Sequence, residues 1–124
     1  MRDYDAERPP EPWQWLALDE VERVRLVREY HKRKRIDAIS LQGHAAFHAI
    51  VETQVAMGEP SAVAATLRRL QSEGLDRHDA IHAIGSVLAE QFHAVASGSA
   101  QTDPNPAYAA ALERLSAESW RHAR

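Results

Sequence analysis

The stretch His44-Ala45-Ala46-Phe47-His48-Ala49-Ile50 recurs in the chain, with small changes, as His78-Asp79-Ala80-Ile81-His82-Ala83-Ile84. Both copies follow the pattern His-x-Ala-apolar-His-Ala-Ile, and they hold four of the seven histidines. Residues four apart lie on one face of an α-helix, with Cβ atoms roughly 5–6 Å apart. This is the spacing at which a helix presents two imidazoles to one metal ion. The repeat therefore predicts two helices, each carrying a histidine pair.

Apolar residues recur at helical spacing on both sides of the repeat, and no segment shows the alternation typical of a strand. The sequence predicts helices over 19–35, 41–57, 61–73, 76–96 and 107–120, with Asp19 and Asp76 as N-caps and Glu22 completing a capping box. The predicted fold is all-α: a single-domain helical bundle of four main helices plus a C-terminal helix. Residues 1–18 are predicted to be an extended, partly disordered Pro- and Trp-rich arm, and residues 19–120 the bundle.

Helix direction suggests that the histidines converge. Short connections make successive helices antiparallel, so the two His-bearing helices run parallel and their pairs lie at the same end of the bundle. The first helix runs the other way and carries His31 to that end. We therefore expect five histidines to gather, with Glu52 one turn beyond His48.

Composition limits the ligand chemistry. The chain has 124 residues, a formal charge of −3 and no cysteine, so any metal site must use nitrogen and oxygen ligands. The net charge disfavours nucleic acid as a partner, and no apolar run approaches a membrane span. The segment from Met1 to Pro12 is charged and proline-rich, unlike a secretory signal, so a cytoplasmic location is expected.

These observations predict a metal centre. The ligands are His44, His48, His78 and His82, with Glu52 as the oxygen ligand and His31 in reserve. Neutral imidazole suits a divalent transition metal, namely Zn, Fe, Ni or Cu. The alternative is a duplicated helix-packing unit, in which the histidines form a structural core network by bonding to one another and to the backbone.

The residues around the repeat resemble an uncharacterised bacterial family, the domain of unknown function 1841. The resemblance covers the region from Gly43 to Leu115. It is carried by His44-x-x-x-His48, Glu52-x-Gln54, Glu59-Pro60, Gly74-Leu75, His78-x-x-x-His82 and Tyr108-x-x-Ala111-Leu112. It implies the same organisation of the chain but no particular reaction.

Two classes of function fit the sequence. The first is a small metal-binding protein, with metal-dependent hydrolysis of an unknown substrate as one use of the site and Glu52 or Asp79 as the general base. A variant of it pairs His78-Asp79 with His44 and Asp103, as in helical phosphohydrolases. The second is a non-catalytic interaction module, whose Trp-bearing arm and basic helix end would contact a protein partner or an RNA. The basic run from His31 to Arg35 is predicted to be a solvated helix end.

Overall fold

A computed structural model describes residues 1, 3–34, 41–98 and 104–123. Within these ranges the chain forms seven helices and no strand, which confirms the predicted all-α class. The helices are α1 (Pro12–Ala17), α2 (Glu20–Arg33), α3 (Leu41–Met57), α4 (Ser61–Ser72), α5 (Arg77–Ala96), α6 (Pro104–Arg114) and α7 (Ala117–Ala123). Arg35, the predicted 36–40 connection and Asp103 lie outside the described residues.

Both predicted aspartate caps are present. The Asp19 carboxylate accepts a bond from the backbone N–H of Glu22 at 2.8 Å, and the Asp76 carboxylate accepts one from Asp79 at 2.7 Å. The predicted capping box at α2 is only half formed, because the Glu22 side chain binds Arg25 instead. These caps set where α2 and α5 begin, and hence the phase of their histidines.

The two ends of the chain differ from expectation. The predicted arm contains α1, and Trp15 on this helix is fully buried with its indole N–H donating to Thr53 Oγ1 at 3.0 Å. The predicted C-terminal helix is divided into α6 and α7. A reciprocal pair of bonds between Ser116 and Ser119, each side chain accepting from the other's backbone N–H at 3.0 Å, caps α7 and accounts for the break.

The apolar core has two parts. One lies mainly among α3, α4, α5 and α6, and the other packs the N-terminal segment and α1 against α2 and α3. Two large apolar side chains lie outside this core: Val21 is 76% exposed and Phe92 is 53% exposed. At Gly85 the helices α3 and α5 have room for a Cβ, which would make an ordinary contact of 4.0 Å with the Cβ of Phe47.

Buried polar side chains lie where α2, α3 and α5 meet. They are His31, His48, Glu52, Arg77 and His78. In the described part of the chain, no helix combines the length and apolar character needed to cross a membrane.

Candidate metal centre

Five histidines from three helices converge in the structure. His31 comes from the last turns of α2, His44 and His48 from α3, and His78 and His82 from α5. One ring nitrogen from each of His31, His48, His78 and His82 lies within 4.8 Å of the others. His44 joins through Nε2, which lies 2.7 Å from His82 Nε2 and 3.1 Å from His31 Nε2. The end of α2 therefore meets the first half of both repeat helices, as the topology predicted.

His31 occupies the middle of the cluster. Its Nε2 lies 3.1 Å from that of His44, 3.2 Å from that of His82 and 3.3 Å from that of His78. Two nitrogens bound to one ion at about 2.1 Å lie roughly 3.0–3.4 Å apart for angles between 90° and 109°. These three separations match that range, so His31, which the sequence predicted as a reserve ligand, has the best geometry for a ligand. The 2.7 Å between the Nε2 atoms of His44 and His82 is shorter than that range.

Hydrogen bonds alone do not satisfy this cluster. The Nδ1 of His31 lies 2.8 Å from the carbonyl oxygen of Val27, which can only accept, so Nδ1 carries the proton and Nε2 of the neutral ring carries a lone pair. One in-plane lone pair cannot accept linear bonds from three neighbouring nitrogens. The Nε2 atoms of His31, His44 and His82 form a triangle with sides of 2.7–3.2 Å. Each of these nitrogens carries either one proton or one lone pair, so two of the three must carry the same. The side of the triangle that joins those two is repulsive.

His48 has a buried nitrogen without a partner. Its Nε2 lies 2.7 Å from the Tyr4 hydroxyl, which donates its own proton to Glu52 Oε2. His48 must therefore donate from Nε2, and its lone pair lies on Nδ1. This Nδ1 is buried and makes no hydrogen bond. An orphaned buried acceptor costs about 1–3 kcal/mol. His48 also has one ring nitrogen within 4.8 Å of ring nitrogens of His31, His78 and His82.

Burial favours the neutral form of four of these imidazoles, His31, His44, His48 and His78. Desolvation lowers the pKa of His48 well below its usual value, and the neighbouring rings lower it further. Desolvation, reinforced by His31, lowers the pKa of His78 to about 4. The pKa values of His31 and His44 are also lowered, again chiefly by desolvation. Neutral imidazole is the form that binds a metal ion, so near pH 7 the cluster is ready for ligation.

Glu52 lies behind His48, with both carboxylate oxygens already bonded. Arg77 holds it through two bonds, Nη1 to Oε2 at 2.6 Å and Nη2 to Oε1 at 2.8 Å, and the Tyr4 hydroxyl adds a third. Glu52 is fully buried and Arg77 is 5% exposed, so this is a desolvated ion pair. Oε2 accepts two of these bonds, so only Oε1, which accepts one, has a lone pair left for a metal ion. The assignment of Glu52 as the oxygen ligand therefore stays a prediction, and the least favoured among the predicted ligands.

The N-terminal segment contacts the buried residues behind the histidines. Arg77 donates to the Ala6 carbonyl at 3.0 Å, and the Glu7 carboxylate accepts from the backbone N–H of Arg77 at 3.0 Å. Arg33 donates to the Tyr4 carbonyl at 2.9 Å. Sequence reasoning missed Tyr4 and Arg77. A buried glutamate requires a cation, which points to an arginine, but no periodic pattern marks Tyr4 inside a charged, proline-rich stretch.

A cavity of about 150 Å³ adjoins the histidine cluster. His44, His48 and His82 line one side of it, and the remaining wall is mostly apolar, with Phe47, Ile81, Gly85, Ala89 and Trp120. His44 and His82 are half-buried, whereas His31 and His48 are at most 2% exposed. The cluster is therefore reached from its His44 and His82 side.

His31, the first residue of the basic run, belongs to the histidine cluster, and the next three residues do not. His31 is fully buried, whereas Lys32, Arg33 and Lys34 are exposed, as predicted for a solvated helix end.

No protein-family model, curated protein or solved structure matches the chain. The histidine geometry is thus the main evidence for what the protein does.

Proposed function

We propose that the protein binds a divalent transition-metal ion, or a closely spaced pair, through its five-histidine cluster. The triangle of Nε2 atoms from His31, His44 and His82 carries this proposal, because a cation can accept all three lone pairs whereas a proton can bridge only one side. The structural-network alternative leaves the buried Nδ1 of His48 without a hydrogen-bond partner.

The donor set favours particular metals. Among the described residues the metal-ligand group consists of imidazoles alone, without a carboxylate. Imidazole suits Zn, Cu, Fe and Ni, whereas Mg and Ca require oxygen ligands. The hydrogen-bond partners of the histidines also fit a metal site, because ligating histidines usually donate their second ring N–H to a carbonyl or a carboxylate. His31 does so to Val27, and His48 does so to Tyr4, which in turn donates to Glu52.

Metal-dependent hydrolysis remains the finer prediction for this centre. The cavity beside His44 and His82 supports it, since a reacting substrate needs access to the ion. Glu52 is a poor choice of general base, because Arg77 and Tyr4 already engage both of its oxygens. The resemblance to the domain of unknown function 1841 likewise stays a prediction and adds no chemistry.

A protein-binding surface is the second candidate. Trp13 is 68% exposed, Val21 76% and Leu16 38%, all within nine residues of the sequence, and exposed apolar surface can mark a partner contact. These three residues belong to α1 and the start of α2, whereas the cluster takes His31 from the end of α2 and its other histidines from α3 and α5. The two candidate functions therefore use different parts of the molecule and do not exclude each other.

Metal binding is tested on untagged protein, so that no affinity tag contributes histidines. We expect stoichiometric Zn²⁺ or Co²⁺ binding by calorimetry and a melting temperature that falls with chelator and recovers on metal addition. A metal at 100 times its Kd adds about 2.7 kcal/mol to the unfolding free energy. His31→Phe and His44→Ala should weaken binding strongly. His93→Ala is the control, because His93 is exposed on α5.

Two outcomes would contradict the proposal. One is a melting temperature that chelator and added metal leave unchanged, which is the behaviour expected of a structural histidine network. The other is metal binding that the His93 variant loses as readily as the His44 variant, which would indicate adventitious surface binding.

A further inference from the structure

The cavity beside the histidine cluster has features of a ligand site of its own. It is lined by His44 and His82, which are half-buried, and by His48, whereas Tyr4 and Glu52 do not line it. A metal ion held by the cluster would therefore have its accessible side toward this cavity.

Charge determines what kind of ligand the cavity would accept. Five neutral imidazoles leave both positive charges of a divalent ion uncompensated. The buried carboxylate of Glu52 is neutralised by Arg77, with which it shares two bonds of 2.6 and 2.8 Å. A buried, uncompensated charge is costly, so an anion on the accessible side of the ion is favoured.

The size and lining of the cavity narrow the class of anion. Its volume of about 150 Å³ lies below the range of about 300–1,000 Å³ typical of drug-sized ligands, so it suits a ligand smaller than a nucleotide. Phe47, Ile81 and Trp120 give it an apolar wall, and the Ser86 hydroxyl is already bonded to the His82 carbonyl. Phosphate would need several hydrogen-bond donors, whereas an alkyl chain needs only apolar surface.

We propose that this cavity binds a short-chain carboxylate, with its carboxylate toward the histidine centre and its alkyl chain against Phe47, Ile81 and Trp120. The proposal rests on the metal centre proposed above and names the ligand class of that site. It makes the centre a receptor or an active site for small organic acids.

Co²⁺-loaded protein provides the test, because the visible absorption of Co²⁺ changes when a new ligand binds. Formate, acetate, propionate and butyrate are titrated in turn, with phosphate as the inorganic comparison. Burial of one CH₂ group is worth about 0.8 kcal/mol, so each added carbon should tighten the Kd about threefold to fourfold. Phosphate should bind more weakly than butyrate.

Ala89→Phe should fill the cavity, keep Co²⁺ binding and lose the response to butyrate, since Ala89 lies in the apolar wall. Ala46→Phe is the matched control, because Ala46 is also a helical alanine but lines a different cavity, beside Val24 and Thr53. The chain-length series on the unmodified protein is independent of whether either variant folds.

The outcomes separate this proposal from the one it rests on. Stoichiometric Co²⁺ binding without any response to carboxylates, or an affinity that falls with chain length, overturns the ligand class and leaves the metal centre standing. Tighter binding of phosphate than of butyrate does the same. Failure of the protein to bind Co²⁺ overturns both proposals.

Discussion

The Tyr4 hydroxyl lies 2.7 Å from His48 Nε2, although 44 residues separate the two along the chain. The same hydroxyl donates to Glu52, which Arg77 holds through two further bonds. Burial, reinforced by the charge of Glu52, raises the pKa of Tyr4 well above its usual value, so the phenol keeps the proton that it donates. The N-terminal segment thereby sets which nitrogen of His48 carries the lone pair.

Tyr4→Phe should weaken metal binding without removing a ligand. The change deletes the acceptor for His48 Nε2–H and the donor to Glu52, and loss of such an outer partner typically costs 10–100-fold in metal affinity. The unfolding free energy should also fall by about 1–3 kcal/mol, because two buried polar groups lose a partner. Calorimetric metal titration and urea unfolding measure the two effects.

Tyr108→Phe is the control for that experiment. Tyr108 is 4% exposed and donates its hydroxyl to Gln54 at 2.8 Å, away from the histidines. It should lose stability but retain full metal affinity. If both variants lose metal affinity equally, the effect of Tyr4 is a general loss of packing and not the orientation of His48.

Arg77→Met should be among the most damaging single changes in the protein. It leaves the Glu52 carboxylate buried without its cation, and breaking a buried pair in this way costs about 3–5 kcal/mol. The double variant Arg77→Met with Glu52→Leu should recover much of this loss, because it removes both charges together. The exposed pair of Arg25 and Glu29 on α2 is the comparison, where Arg25→Met should change stability little. Urea unfolding of the unmodified protein and these three variants measures the effects, and a double variant no more stable than Arg77→Met would contradict the expected recovery.

The metal-free protein should lose stability as the pH falls from 6.5 toward 4. Desolvation lowers the pKa of His78 to about 4 and that of His48 well below its ordinary value of 6.5. Between pH 6.5 and the lowered pKa values, these histidines bind protons in the unfolded chain but not in the folded chain, so lowering the pH favours unfolding. Above pH 6.5 they are neutral in both states and do not change the unfolding free energy with pH. Urea midpoints in chelator at pH 7.5, 6.5, 5.5 and 4.5 check this. His78→Phe should flatten the curve, and an unchanged slope in that variant would show that other groups are responsible.

Two glycine-to-alanine changes should act in opposite directions. Gly85 lies inside α5, where an added Cβ would make an ordinary contact with Phe47 at 4.0 Å, so Gly85→Ala should stabilise the protein by about 0.5–1 kcal/mol. Gly74 has φ +105° after α4, and an added Cβ would lie 3.4 Å from Arg121 Nη2. Gly74→Ala should therefore destabilise the protein. Thermal melts compare the two, and a gain in both would mean that the strain at Gly74 is relieved by local movement.

The sequence by itself determined the local structure and the histidine pairing. Apolar spacing and the Asp19 and Asp76 caps predicted the helical class and most helix bounds, because these depend on interactions within a few residues. The i, i+4 spacing put His44 with His48, and His78 with His82, on common faces, and the short connections indicated that both pairs lie at one end. All of this follows from the repeat of 3.6 residues per turn.

Tertiary structure alone decided what surrounds those histidines. His31 lies at the centre because the end of α2 packs against the starts of α3 and α5. Its position on the apolar face of α2 predicted only that it would lie near the other histidines. The pairing of Glu52 with Arg77 spans 25 residues, and that of Tyr4 with His48 spans 44. Contacts over such separations leave no periodic trace in the sequence. They form because polar groups buried by helix packing must find partners wherever the fold places them.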